Sequence, residues 1–120
     1  MGYESKLYIV KKSKIEDDDG RKYGSIIAMF DLCKVTEISQ RMRAYKATDC
    51  YFYASDGNTK VVEDAYGEPL KEIPIQHAIS ILRHAIMNEP FPFWRYGPCL
   101  ALLESLEEAA PELVVLHYGY

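Results

Sequence analysis

The chain of 120 residues has no long apolar run. Nothing in it approaches the roughly 18 consecutive apolar residues that a membrane span requires, and no basic stretch leads into an apolar one as in a leader. A cytoplasmic protein with no membrane partner is the expectation. Cysteine is scarce: Cys33, Cys50 and Cys99 are odd in number, widely spaced and form no C-x-x-C pair. That pattern reads as free core thiols in a reducing compartment rather than as a disulfide framework. Motifs that carry chemistry are missing too. There is no G-x-G-x-x-G, no G-x-x-x-x-G-K-[ST], no H-E-x-x-H and no G-x-S-x-G elbow, so no catalytic residue, no metal and no cofactor is assigned and a non-enzyme is expected.

Positive charge is lacking in one half. Residues 61–120 carry three Lys or Arg against nine Asp or Glu, while residues 1–60 carry eleven against nine. The net charge of −4 is thus concentrated late, where it repels nucleic acid and favours a basic partner. Nucleic-acid binding through Lys34, Arg41, Arg43 and Lys46 is disfavoured on the same ground. The acidic run Glu16-Asp17-Asp18-Asp19 lacks the alternating oxygen ligands and distal glutamate of a calcium loop and reads as a solvated turn. His77 and His84, seven residues apart on one predicted helix, lie about 10.5 Å apart along its axis, too far to share a metal. They also fall nearly opposite that helix's apolar stripe.

At this length one domain, residues 1–120, buries roughly two thirds of its unfolded surface, enough for a core without a metal or disulfide. Ser25 to Cys33 is apolar on both alternating faces, with Asp31 the polar exception, and is expected to be the central strand. Tyr3 to Lys12 alternates as a strand whose lysines suit an edge, and Lys14 to Gly24 is the loop between the two. Thr36 to Ala44 reads as a helix capped by Thr36. Cys50 to Ala54 and Thr59 to Asp64 form a hairpin about Asp56-Gly57, with a short extended piece after it at Leu70 to Ile73. Pro74 opens a helix whose stripe Ile75, Ala78, Ile79, Leu82, Ala85 and Ile86 runs to Asn88. Pro90 to Gly97 is a Pro-rich connector that excludes regular helix; Pro98 opens a third helix, ending near Ala110. Leu113 to Tyr118 is a closing strand placed beside the central one. The order β-β-α-β-β-α-α-β is an α+β class: a mainly antiparallel sheet of about five strands with three helices packed on it.

Tyrosine is what the chain has in excess, ten residues against a single Trp. A large apolar ring joined to a hydroxyl suits a surface that another molecule covers. Tyr51, Tyr53, Tyr66, Tyr96, Tyr118 and Tyr120 are therefore candidate binding residues. Trp94 and Arg95 join them, because Pro90, Pro92 and Pro98 restrict the connector that presents them. Filling a thin sheet is the competing reading.

The opening Met1-Gly-Tyr-Glu-Ser-Lys-Leu-Tyr, Asp49-Cys-Tyr-Phe-Tyr-Ala with Asp56-Gly-Asn-Thr, Tyr66-Gly-Glu-Pro-Leu, Pro98-Cys-Leu-Ala-Leu-Leu and the ending Val114-Val-Leu-His-Tyr-Gly-Tyr carry a resemblance. Across most of its length the chain resembles small uncharacterised accessory proteins of bacteriophages and prophages. That resemblance implies an accessory or counter-defence factor that works by binding. The first expectation is a non-enzymatic protein that binds and inhibits or modulates a host protein, such as an anti-CRISPR acting on a defence nuclease. The alternative is a binder of a small planar ligand such as a nucleotide signal, stacked on Tyr and Trp94 with Arg95 or Arg83 on its phosphate. An aromatic closing strand in a thin sheet also points to a homodimer.

Overall fold

Strand register is what shapes this protein. In a computed structural model, residues 4–16, 18, 20–33, 36–46, 48–88, 93–109 and 112–120 are described, without the side chains of residues 33, 36, 37, 88, 93–95 and 109. The elements in chain order are β1 (Ser5–Lys12), β2 (Tyr23–Cys33), α1 (Thr36–Arg43), β3 (Phe52–Tyr53), β4 (Lys60–Val61), β5 (Lys71–Ile73), α2 (Ile75–Asn88), α3 (Phe93–Ala109) and β6 (Leu113–Gly119). The strands form one sheet in the order β4-β3-β2-β1-β6-β5. The class is α+β, as expected.

The sheet differs from the expected one in count and sense. Among the described residues it has six strands, because Lys71–Ile73 pairs with β6, and it is mixed, because β3 meets β2 in parallel at Ser25 and Tyr53. The centre also moves. β1, read as an edge from its lysines, lies between β2 and β6, and the closing strand inserts beside β1 rather than beside β2. The lysines misled because Lys6, Lys11 and Lys12 sit near the two ends of a strand that is nevertheless paired on both sides, while Leu7, Ile9 and Val10 between them are fully buried.

β2 is not buried on both faces. Ile27 is 58% exposed and Met29 46%. The register of β1 against β2 shifts at three places, so that Tyr23–Cys33 spends three more residues than Ser5–Lys12 on the same ladder. Each extra residue is a bulge that bends and twists the strand, which breaks strict alternation. Beyond β2 the sheet is continued, among the described residues, only by the two-residue strands β3 and β4. The expected hairpin strands Cys50 to Ala54 and Thr59 to Asp64 are thus shortened, and after β4 the chain returns through a bridge between Glu63 and Pro69.

Two cores lie on opposite faces of the sheet. On one, Leu7, Ile9, Leu32 and Val115 meet Ile38, Met42, Ile79, Leu82 and Leu103 from the helices. On the other, Val10, Tyr23 and Leu116 are covered by Cys50, Phe52 and Leu70. The stripe of α2 faces the first core as its spacing predicts, and His77 and His84 are exposed. Helix α3 corrects the connector reading: regular helix already begins at Phe93, and Pro98 lies inside it. The ring removes one amide bond and presses on the carbonyl of residue 94, a defect near the helix's beginning that packing of Tyr96, Cys99 and Leu103 offsets. Residues 89–92 of the connector, Lys34, and Asp17 and Asp19 of the acidic run lie outside the described residues. No described helix is long and apolar enough to cross a membrane.

Candidate functional site

The hairpin of β1 and β2 leaves the sheet carrying basic residues on both arms: Lys11, Lys12 and Lys14 leaving β1, Arg21 and Lys22 entering β2. The arms are tied by the Ser13 amide donating to the Lys22 carbonyl at 2.8 Å. Beside them the Asp56-Gly57 turn reaches back. Gly57 sits at φ +76, a left-handed backbone that an L side chain strains to adopt. Asp56 accepts from the amides of Asn58 and Thr59, each at 2.8 Å, and the Thr59 hydroxyl together with these bonds holds its carboxyl down at about 2. The Gly57 carbonyl then accepts from Arg21 at 3.1 Å, locking the turn onto the hairpin.

Between the two runs a ladder of aromatic rings and cations. Tyr23 and Tyr51 meet edge to face at 4.8 Å, Tyr51 and Tyr53 at 5.8 Å. Each ring carries a cation on its face: Lys12 over Tyr23 at 5.4 Å, Lys60 over Tyr51 at 4.2 Å and Arg21 over Tyr53 at 4.1 Å. The Tyr51 hydroxyl accepts from the Lys22 amide at 2.7 Å. Beneath, Lys12 pairs with Glu72 at 3.0 Å and Tyr23 donates to the same carboxylate. Burial, and then that hydrogen bond, push the Tyr23 hydroxyl well above its ordinary value, so it stays protonated. Burial likewise raises the neighbouring Cys50 thiol, which donates to the Leu70 carbonyl at 3.3 Å.

Two adjoining clefts lie at this end of the sheet, and Tyr23 and Tyr53 of the ladder line the smaller. The larger, about 700 Å³, is lined by Lys11, Lys12, Ser13, Lys14, Lys22, Glu112 and Val114. The smaller, about 280 Å³, is lined by Lys11, Ser13, Arg21, Lys22, Tyr23, Gly24, Ser25 and Tyr53. Cations dominate both walls, against one lining carboxylate, and Arg21 and Tyr51 are held in place by their own hydrogen bonds. Chemically the arrangement is suited to an anion. One face of each of Tyr51 and Tyr53 already carries a cation.

Among the described residues, the candidates read from the sequence are brought together only in part: Tyr51 and Tyr118 pack against the same core cluster, and the rest are spread over the molecule. Tyr51 and Tyr53 belong to the ladder. Tyr118 and Tyr120 stand at the opposite end of β6, where Tyr118 meets Tyr8 edge to face at 5.7 Å and Tyr120 donates to Asp31 at 2.5 Å beneath Lys6. Tyr96 is on the other face of the sheet, buried, its hydroxyl on the Leu32 carbonyl at 2.8 Å. Tyr66 is exposed on the Asp64 to Gly67 turn. The side chains of Trp94 and Arg95 lie outside the described residues. Missed by the sequence reading were the cations of the hairpin. Their signal was two basic clusters flanking one polar loop, Lys11-Lys12-Ser13-Lys14 and Arg21-Lys22, which a hairpin necessarily makes neighbours.

A hydroxyl and an imidazole also meet in the helix-side core. Ser5 bonds Ser39 at 2.7 Å and His117 Nε2 at 2.9 Å, with all three side chains buried. Burial, and then Arg43 nearby, lower the His117 imidazole to about 4, so the ring is neutral at pH 7. A substrate cannot reach a fully buried Ser5, and the trio serves to tie β1, α1 and β6 together. Cys50 and Cys99 are buried free thiols, as expected, and burial alone pushes the Cys99 thiol up to about 12. Cys33's side chain is outside the described residues. No protein-family model matches the chain, and neither a curated protein nor a solved structure matches it.

Proposed function

We propose that this chain is a non-enzymatic accessory protein that binds and modulates a host macromolecule, in the manner the phage-type resemblance implies, and that it does so from the basic end of its sheet. One observation carries the reading: cations from both arms of the β1–β2 hairpin converge on two adjoining clefts, the smaller lined by Tyr23 and Tyr53 of the tyrosine ladder. In a chain of net charge −4, such a concentration of positive charge is a feature to be explained. The partner it fits is anionic, a host factor of the defence machinery in the cytoplasm whose exposed surface, its own or that of a polyanion bound to it, is acidic or phosphate-bearing. This reverses the sign of partner that net charge alone favoured. Capture of such a partner from host lysate by the wild-type chain, with loss on the double reversal Lys11→Glu/Lys22→Glu, supports the proposal. Equal capture by the reversed variant removes it.

A homodimer belongs to the same proposal through a different surface. Ile27 and Met29 leave an apolar outer strip on β2 that a second copy would cover. Light scattering at micromolar concentration should then give twice the chain mass, and a monomeric mass rejects the idea.

A further inference from the structure

We infer that the group held at the basic end is a chain of linked phosphates, an inference that rests on the reading of that end as the contact surface. The two clefts are one surface in chemical terms, since Lys11, Ser13 and Lys22 line both. Lys12 is committed to Glu72. Lys11, Lys14 and Lys22 are exposed and take part in none of the salt bridges formed among the described residues. The loop carboxylates Glu16 and Asp18, also exposed, line neither cleft.

Lys11, Lys14 and Lys22 line one cleft, where three ammonium groups form an array of point charges with rotatable donors. Linked phosphates answer that array. Each link carries a negative charge and several acceptor oxygens, so successive phosphates satisfy successive lysines, and the Ser13 hydroxyl supplies a neutral donor between them. Side-chain carboxylates on a protein are separated by backbone and meet such an array one at a time. Tyr53 is only 9% exposed and a cation covers one face of each of Tyr51 and Tyr53, so recognition is assigned to the phosphates and not to a nucleobase. The same chemistry is offered by a free polyphosphate chain and by a nucleic-acid backbone.

Titration of the full chain at low salt with inorganic tripolyphosphate, with a short oligothymidylate and with polyglutamate of matched charge tests this. The expected result is binding of a phosphate probe in clear preference to polyglutamate, weakened about tenfold by Lys11→Ala and again by Lys22→Ala. Lys46→Ala, an exposed change away from both clefts, should leave it unaltered. Tighter binding of oligothymidylate assigns the phosphates to a nucleic-acid backbone, and tighter binding of tripolyphosphate to a free chain. Polyglutamate binding as tightly as either overturns the phosphate inference while leaving the anionic contact surface standing. Failure of all three probes overturns both, and phosphate binding that is indifferent to Lys11 and Lys22 overturns the assignment to these clefts.

Discussion

His117 is an imidazole sealed 2% exposed between β1 and α1, bonded to a serine that is itself bonded to a second serine. Its folded pKa of about 4 lies below the ordinary 6.5, so in that window the unfolded chain binds the proton more readily than the folded one. The stabilisation is therefore complete above pH 6.5, is lost as pH falls towards 4, and amounts to about 3 kcal/mol in total. Urea unfolding at pH 7 and pH 4 should show that loss in the wild type and a smaller one in His117→Asn. A second buried polar contact gives a prediction with no pH dependence. Tyr96→Phe leaves the Leu32 carbonyl without its 2.8 Å donor and should cost about 1–2 kcal/mol, read as a lower urea midpoint at unchanged slope. Neither residue announces its role in the sequence. A histidine on an apolar strand and a tyrosine between two prolines have many readings until their partners, more than sixty positions away, are known.

At the scale of elements, what was legible is what depends on local periodicity. The stripe of α2 fixes both its span and its buried face, and α1 ends within a residue of its expected limit. What was not legible depends on non-local pairing. Three bulges convert the evenly apolar look of β2 into a strand with Ile27 and Met29 in solvent, and nothing in Ser25 to Cys33 marks where β1 will skip a residue. Pro98 carries the opposite lesson, because a helix defect near an end is tolerated once three side chains of α3 are seated in a core. The end of β6 also holds more than its position implies. The Glu4 and Tyr120 backbones exchange bonds of 2.9 and 3.0 Å, the Ala65 amide donates to Gly119 at 3.0 Å, and the Tyr120 hydroxyl reaches Asp31. Removing Gly119 and Tyr120 should therefore cost about 3 kcal/mol, summed from bonds worth roughly 0.5–1.5 kcal/mol each. A truncated chain that melts like the full one would show those contacts to be idle.

For the molecule as a whole, charge is arranged against its own sum. Net −4 hides a cluster of cations that folding one hairpin brings together beside the acidic run of its loop, so on the proposed reading the sign of the partner follows geometry rather than composition. The sequence reading took the tyrosines as a binding surface; three of the molecule's ten form part of the site, as holders of cations. That role is invisible before Arg21, Lys60 and Lys12 are placed over the rings. Long-range attraction through such a cluster is screened by salt, with a Debye length of about 8 Å at physiological ionic strength. Retention on an immobilised sulfated polyanion at pH 7 measures the claim most directly. The account predicts that this net-acidic chain is held at low salt and eluted by a modest salt gradient, and that Lys11→Glu/Lys22→Glu passes straight through. Wild-type protein emerging in the void volume at low salt would contradict it.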